Sequence, residues 1–397
     1  MSESRAARVL VFLPSWLGDT VMATPTLRLL REAMPRSVIV GLVRPGLDEL
    51  LSGSDLLDDI VVADGRSVTG PAKIASKLVP LRLDAALLLP NSFASAMTVR
   101  LAGIPIRVGY DRDGRGVLLT ERLLAPRRVP PRRGWEPVSA VNYYLNAGRA
   151  LLETLRSRRF LVDMATRTDG SSVVQWTPML ELSSTERQDE ESRQVLIKGG
   201  IDPGPLYGEV GAACEPFALI NPGGNNPAKR WPVERFAGVA HHLISQHRLK
   251  VAINGSPSEG ELVSVIRDAI VLDHPEDERM VVCLHELGGT VASLKGIVRR
   301  TKLVLTNDTG PRHIAAAFGV PCVSLFGPTD PRWTLLPEHP GTTREIIITA
   351  DPTLAAEELA DDHPERCRID RITTAEVIRA VDRLLSGLAR AEGGAQG

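Results

Sequence analysis

The residues with the clearest chemical meaning form the turn at 307–313, Asn-Asp-Thr-Gly-Pro-Arg-His. An apolar run at 303–305 precedes this turn and an alanine-rich run at 314–318 follows it, which predicts a strand leading into a helix. Thr309 is expected to cap that helix, and Pro311 gives up only an amide that has no intrahelical partner. The remaining N–H groups would lie at the positive end of the helix, where anions bind. The turn therefore predicts a site for a phosphate-bearing ligand.

Two other loops carry residues suited to the same ligand. The loop at 327–331 follows a strand-like run, and in an α/β domain it should leave the sheet at the same edge as the turn at 307–313. A third loop, at 221–232, contains Gly223 and Lys229. Glycine lets the backbone approach a ligand closely, and lysine supplies a point charge suited to phosphate. An ordinary turn with a surface lysine is the competing interpretation.

Asp19 is the candidate for proton transfer near the amino terminus. It follows a predicted strand at 8–13 and begins a predicted helix that runs to about Met34. A carboxylate in the first turn also suits the helix dipole, so capping is the alternative to catalysis. Gly18 beside it leaves room for a large group to approach, which favours function.

Glu259 is a candidate for binding hydroxyl groups. It ends a loop after the predicted strand at 250–254, where a carboxylate could accept hydrogen bonds from ribose, by analogy with dinucleotide sites. Glu261 is a rival for the same role. An acidic residue that merely begins a helix is the simpler interpretation.

Composition restricts the class of protein. The chain has 397 residues, of which 43% are hydrophobic, enough for about two domains. A formal charge of −1 gives no global indication of nucleic-acid binding. Four scattered cysteines, a short polar amino end and the lack of a bilayer-length apolar run predict a soluble, cytoplasmic protein. No HExxH, paired CxxC, Gly-x-Ser-x-Gly or Walker motif is present, which argues against metal hydrolysis, thiol redox chemistry and Walker-type ATP hydrolysis.

Alternating strands and helices predict two doubly wound parallel sheets. The expected domains are residues 1–190, including a linker, and 191–397, ending in a helix. The stretch at 157–211 has little sustained periodicity, which suits an interdomain linker. Between 111 and 133 the pattern loosens and arginines accumulate, which suits either a solvated loop or a site for an anionic acceptor. Asp111-Arg112-Asp113 there is interpreted as a solvated turn rather than a metal site. Tyr143 and Tyr144, in a later helical run, are interpreted as packing residues.

Several of these stretches together resemble glycosyltransferase family 9, the heptosyltransferases that build the inner core of lipopolysaccharide. The similarity covers most of the chain outside the linker. The matching segments are 14–19, 109–110 with 114–115, 222–223 with 229–232, 307–311 with His313, and 326–331.

The resemblance implies a GT-B fold, with two Rossmann-like domains facing across a cleft, and an inverting reaction that needs no metal or other cofactor. The first domain would hold the acceptor, a lipopolysaccharide inner-core sugar, and the second the donor, ADP-heptose. Peripheral contact with the cytoplasmic face of the inner membrane is compatible with such an acceptor. The implied roles are Asp19 as base; Gly223, Lys229, Thr309, Gly310 and His313 at the donor phosphates; Asp308 at the donor sugar; Glu259 at the donor ribose; and Gly18, Arg115 and Arg122 at the acceptor.

Three alternatives remain open at this point. A member of the same family could use another nucleotide sugar or another cell-envelope acceptor. A nucleotide-sugar epimerase with the GT-B fold would need no acceptor site. A binding protein that has lost turnover is the third, although Asp19 beside Gly18 argues against it. For His313, an internal hydrogen bond at the helix start is the alternative to ligand contact.

Overall fold

Strands and helices alternate along the chain in this computed structural model, which describes residues 5–65, 67–130, 133–162, 178–205, 214–337 and 344–394. They form two α/β units. Unit 1 comprises Met1–Ser183 and Arg332–Pro337, and unit 2 comprises Ser184–Pro331 and Glu338–Gly397. The expected division after residue 190 falls inside a helix at Glu186–Lys198, which belongs to unit 2.

Unit 1 is built on a parallel sheet in which six described strands have the order β3-β2-β1-β4-β5-β6. The strands are β1 Arg8–Phe12, β2 Val38–Val43, β3 Asp59–Val62, β4 Ala85–Leu88, β5 Ile106–Tyr110 and β6 Glu121–Leu123. The helices are α1 Leu17–Met22, α2 Thr24–Ala33, α3 Leu47–Leu51, α4 Gly70–Leu78, α5 Phe93–Leu101 and α6 Ala140–Ser157. Leu10, Val40 and Leu88 on neighbouring strands share one apolar core with Leu78 of α4 and Val99 of α5.

Unit 2 repeats this plan with the described strand order β12-β11-β10-β7-β8-β9, again with every pairing parallel. The strands are β7 Phe217–Asn221, β8 Lys250–Ile253, β9 Val281–Cys283, β10 Leu303–Asn307, β11 Cys322–Phe326 and β12 Glu345–Thr349. The helices are α7 Glu186–Lys198, α8 Val233–His247, α9 Gly260–Asp273, α10 Val291–Arg300, α11 Gly310–Ala317 and α12 Thr374–Gly394. Its core joins strand residues such as Leu305 to Phe236 of α8 and Val381 of α12.

Each sheet has one point at which the strand order reverses, and such switch points are where α/β sheets bind ligands. In unit 1 the reversal lies between β1 and β4, so the loop that leads from β1 to Asp19 emerges there. In unit 2 it lies between β7 and β10. The loop containing Gly223 and Lys229 and the turn at 307–313 therefore begin from neighbouring strand ends. The parallel, doubly wound fold predicted from the sequence is confirmed.

The structure departs from the sequence prediction in four elements. The helix expected to run to Met34 is two helices, α1 and α2, because Pro25 in the first turn of α2 has no amide to continue the α1 hydrogen-bond ladder. The edge strands β6 and β12 and the helix α7 were not predicted. Parts of the expected linker at 157–211 lie outside the described residues. No described helix has the length and apolar character required to cross a bilayer.

Candidate active site

Asparagine and threonine side chains connect the two loops at the switch point of unit 2. The amide of Asn221 donates a hydrogen bond to Oγ1 of Thr309 at 2.9 Å, and Oγ1 of Thr306 lies 3.1 Å from the same atom. The amide of Asn307 donates to the carbonyl oxygen of Pro222 at 2.7 Å. These side chains are largely buried, so their hydrogen bonds fix the turn after β10 against the loop after β7.

The prediction that the Thr309 side chain caps α11 is wrong. Thr309 occupies the cap position, but its hydroxyl is engaged with Asn221 and Thr306 and makes no capping hydrogen bond. In the first turn Pro311 has no amide, and the Arg312 amide donates to the carbonyl oxygen of Thr309 at 3.2 Å. The Gly310 amide, at the first position of α11, has no intrahelical acceptor, and it lies at the positive end of the helix, where an anion is favoured.

Asp308 is held between two cations beside this helix end. Lys229 Nζ lies 3.1 Å from Asp308 Oδ2, and Arg312 Nη1 lies 3.7 Å from Oδ1. Burial alone would raise the pKa of Asp308, but the charges of Lys229 and Arg312 outweigh it and hold that pKa below its ordinary value. Arg312 also pairs with Glu345 at 2.6 Å and is fully buried. The Lys229 side chain is 23% exposed and is therefore the more accessible of the two cations. The carboxylate thus positions Lys229 next to the amides of α11.

His313 lies in the first turns of α11 and is buried. Burial lowers its pKa to about 3, and the positive charge of Arg312 adds to the effect. The imidazole is therefore neutral at physiological pH, and its role at a phosphate would be that of a hydrogen-bonding group. Its Nδ1 atom is buried without a hydrogen-bond partner among the residues that the structure describes.

Glu259 joins the glycine loop to the start of α9. Its Oε1 accepts from the Gly224 amide at 2.8 Å, and its Oε2 accepts from the Ser256 amide at 2.9 Å and the Ser256 hydroxyl at 2.8 Å. Burial opposes ionisation, but these hydrogen bonds hold the pKa of Glu259 below its usual value. A Cβ atom at Gly223 would lie 2.2 Å from Oε1, so a side chain there would push the Glu259 carboxylate out of its present position. The helix-start interpretation accounts for these contacts, and ribose binding stays a prediction.

In unit 1, Asp19 is bound by a tyrosine from a distant part of the chain. Asp19 lies in the first turn of α1, and the hydroxyl of Tyr144 from α6 donates a hydrogen bond to its Oδ1 at 3.1 Å. Complete burial, together with the negative charge of Asp19, raises the pKa of Tyr144 well above its usual value. The phenol therefore stays protonated and acts only as a donor here. A carboxylate oriented in this way can accept a proton from a bound hydroxyl group.

A cavity of about 230 Å³ opens in front of Asp19 within unit 1. The guanidinium of Arg112 lies 4.2 Å from the centre of the Trp135 ring, and its Nε has no hydrogen-bond partner among the described residues. Aromatic rings, a cation and a carboxylate together suit a sugar that bears negative charge. The lining residues are Asp19, Asn91, Arg112, Ala125, Pro126, Trp135, Glu136, Val138, Ala140, Tyr143, Tyr144, Trp333 and Thr334.

A comparison with known families decides the identity of the chain. The family described as glycosyltransferase family 9 (heptosyltransferase) matches residues 72–362, well over half of the sequence. The chain belongs to this family. The resemblance seen in the sequence motifs is thereby confirmed, and the protein is a glycosyltransferase.

Curated relatives of this glycosyltransferase match it along most of their length. It is 28% identical to lipopolysaccharide heptosyltransferase 2 of Escherichia coli K12 over 351 residues, which cover 86% of this chain and 88% of the relative. It is 26% identical to lipooligosaccharide heptosyltransferase 2 of Haemophilus influenzae, covering 82% and 85% of the two chains.

Solved structures show the same fold. The ADP-heptose lipopolysaccharide heptosyltransferase II of E. coli has a TM-score of 0.71 at 24% identity, and the comparison covers 96% of this chain and 99% of the other. A family 9 glycosyltransferase from Veillonella parvula has a TM-score of 0.72 at 20% identity, covering 97% and 99%. The GT-B fold implied by the sequence is thus confirmed.

The acceptor residues predicted for this glycosyltransferase need one correction. Arg115 is completely buried, and its guanidinium donates to the carbonyl oxygens of Tyr110 and Pro90 and to Asn91 Oδ1. Its donors thus bind oxygens at the end of β5 and in the loop after β4, and direct contact with an acceptor does not fit this geometry. Gly18 is buried in α1 beside Asp19, and Arg122 is exposed on the edge strand β6.

Sequence reasoning missed the residues that surround Asp19. Tyr144 was interpreted as a packing residue, whereas its hydroxyl binds the catalytic candidate. Arg112 belongs to the arginine-rich run, but nothing in that run distinguishes it from the others. Trp135 and Trp333 carry no local signal either. The one available signal was that Arg112 follows the Gly109-Tyr110 segment of the family pattern.

Proposed function

We propose that this glycosyltransferase moves heptose from ADP-heptose to an inner-core sugar of lipopolysaccharide, with inversion at the anomeric carbon. The observation that carries the choice of substrates is the match, over 86% of the chain, to a protein named lipopolysaccharide heptosyltransferase 2. The polar sites at the two switch points support a division of labour, in which unit 1 binds the acceptor and unit 2 binds the nucleotide.

In the proposed reaction an oxygen of the acceptor attacks the anomeric carbon while the bond from that carbon to the β-phosphate of ADP breaks. The attacking hydroxyl gives its proton to Asp19. Tyr144 donates to Oδ1 of Asp19 at 3.1 Å and so fixes the direction of the carboxylate that receives the proton. Tyr144 is a positioning residue in this scheme, because it acts through Asp19.

The leaving ADP carries growing negative charge, which unit 2 is suited to stabilise. The Gly310 amide at the start of α11 supplies a fixed donor, and Lys229 supplies a cation held by Asp308 at 3.1 Å. Neutral His313 is proposed to hydrogen-bond a phosphate oxygen. Gly223 allows the backbone to approach the nucleotide, and Glu259 is proposed to accept from the ribose. Asp308 is proposed to contact donor-sugar hydroxyls.

The cavity in front of Asp19 is proposed to hold the acceptor sugar. Trp333 offers aromatic surface to the sugar ring, and Arg112, which stacks on the Trp135 ring, offers a cation for an acidic substituent. Gly18 and Arg122 remain proposed acceptor contacts at its approaches. Exposed Leu124 lies two residues after Arg122 in sequence, and such mixed apolar and basic character suits peripheral contact with an anionic membrane surface.

The test is a transfer assay with ADP-heptose and a delipidated inner-core acceptor, read by mass spectrometry of the product and of released ADP. Asp19→Asn should lose at least about a hundredfold of the rate, the lower end of what a general base contributes, and still bind ADP as the unmodified protein does. Glu153→Gln, an exposed change on the helix that carries Tyr144, is the matched control.

Each outcome of this assay has a distinct meaning. Equal loss of transfer and of ADP binding in Asp19→Asn would mean that Asp19 is structural. ADP release without an acceptor product would point to a different acceptor. ADP binding with no turnover of ADP-heptose would refute the proposed donor and direct the search to another nucleotide sugar.

A further inference from the structure

Two histidines and an aspartate converge on the outer side of unit 2, away from the loops assigned to the nucleotide. His242 and His247 lie on α8, and Asp382 lies on α12. Nε2 of His242 is 2.8 Å from Asp382 Oδ1, and Nε2 of His247 is 2.6 Å from the same oxygen. The three ligand atoms all lie within 4.8 Å of one another.

The helices bring these side chains together for reasons independent of the cluster. α12 packs Val377, Val381 and Leu384 into the core that α8 also lines, so Asp382 next to Val381 faces the carboxyl end of α8. His247 is the last residue of α8, and Arg248 after it has φ of 56°. The end of α8 therefore lies where the imidazoles of His242 and His247 both reach the Asp382 carboxylate.

We propose that His242, His247 and Asp382 form a binding site for a divalent transition metal of the zinc type. Two imidazole nitrogens and one carboxylate oxygen are donors that Zn²⁺ prefers, whereas Mg²⁺ and Ca²⁺ prefer oxygen alone. Three protein ligands leave a fourth, tetrahedral position for water.

The ligand atoms must shift to receive the ion. Metal–ligand distances of about 2.0 to 2.1 Å place tetrahedral ligand atoms roughly 3.3 Å apart. The present His–Asp distances of 2.8 and 2.6 Å are those of hydrogen bonds, so each imidazole must move away from the carboxylate oxygen by about half an ångström. The two imidazole nitrogens, which lie within 4.8 Å of each other, must settle at the same ligand spacing. The side chains of His242, His247 and Asp382 are 20%, 24% and 43% exposed, so an ion can reach them from solvent.

A metal here would fasten α12 to α8 and would take no part in glycosyl transfer. α8 begins directly after the segment that carries Lys229 and Trp231, and Trp231 Nε1 donates to the carbonyl oxygen of Ile372 just before α12. The two helices thus already meet beside the nucleotide loop at one end. The metal would join them at the other end and stabilise unit 2.

The experiment uses the full chain without a histidine tag, stripped of metal with a chelator that is then removed. Co²⁺ is titrated first, because tetrahedral Co²⁺ absorbs visible light, and Zn²⁺ is then added to displace it. We expect a single equivalent of Co²⁺ to give the absorption, Zn²⁺ to abolish it and to raise Tm, and Mg²⁺ to have neither effect.

Variants locate the site. His247→Gln and the conservative Asp382→Asn should each weaken Co²⁺ binding at least about tenfold, while their circular dichroism without metal stays that of the unmodified protein. His274→Gln, a histidine outside the cluster, is the control and should bind normally. The proposal would be overturned if no Co²⁺ absorption is seen, or if the absorption persists in both cluster variants. The three side chains would then only hydrogen-bond α8 to α12.

Discussion

Replacing His313 with asparagine should remove a defined part of the acid sensitivity of folding. In the folded protein, burial lowers the pKa of His313 from its ordinary value of 6.5 to about 3, with a further contribution from the charge of Arg312. The unfolded chain takes up a proton at this histidine once the pH falls below 6.5, whereas the folded chain does not. Stability contributed by neutral His313 is therefore fully present above 6.5 and is lost as the pH falls toward 3.

The size of the effect follows from these two pKa values. Between them, each pH unit changes the free energy of unfolding by about 1.36 kcal/mol. A decrease from about pH 7.5 to about pH 5 therefore costs about 2 kcal/mol through this histidine alone. Because the side chain is only 3% exposed, solvent screening does little to reduce that figure. Asparagine carries no titrating group, so the variant should lack this component.

The assay is equilibrium urea unfolding at both pH values, followed by tryptophan fluorescence and by circular dichroism to check that one transition is observed. The unmodified protein should lose about 2 kcal/mol more than His313→Asn on acidification, whatever the variant loses at neutral pH. His363→Asn, on the surface of unit 2, serves as control and should keep the acid response. Equal acid responses in the unmodified protein and His313→Asn would refute a buried, neutral imidazole.

Three further variants test other contacts of the candidate site. Lys229→Met removes the cation that lies 3.1 Å from Asp308. Calorimetry should show ADP binding weakened roughly 10- to 150-fold, equivalent to about 1.5 to 3 kcal/mol. Unchanged ADP affinity would exclude Lys229 from the phosphate site. Glu259→Gln removes a charged acceptor of three hydrogen bonds. Urea unfolding should show a free energy of unfolding lower by about 1 to 3 kcal/mol. Unchanged stability would show that the glycine loop does not need the Glu259 carboxylate. Arg115→Met leaves the Tyr110 and Pro90 carbonyl groups without their donor. The variant should therefore have a Tm lower by several degrees, even with ADP bound. Loss of acceptor affinity at an unchanged Tm would instead support the predicted acceptor role.

The sequence predicted most of the fold because its signals are local. Apolar runs placed ten of the described strands within one or two residues of their observed ends, among them Ile106–Tyr110. The two edge strands, β6 and β12, were not predicted because each is short or half exposed and lacks the continuous apolar run of a central strand. The break at Pro25 was readable in principle from its missing amide.

The sequence by itself also brought together the residues proposed to bind the nucleotide. Asp308, Thr309, Gly310 and His313 lie in one short stretch, so a strand, a turn and a helix start suffice to bring them together. Lys229 adds one loop from the neighbouring strand, and strand order alone brings that loop near.

Only the tertiary structure decided how these residues are used. Tyr144 reaches Asp19 across 125 residues of sequence, and Asp382 meets His242 across 140. Arg115 and Arg112 look alike in an arginine-rich loop, yet one is enclosed by carbonyl groups and the other lines a cavity. The physical reason is that a side chain's partners depend on which helix faces pack together, and hydrophobic burial, which is non-directional, sets that packing for the whole chain at once.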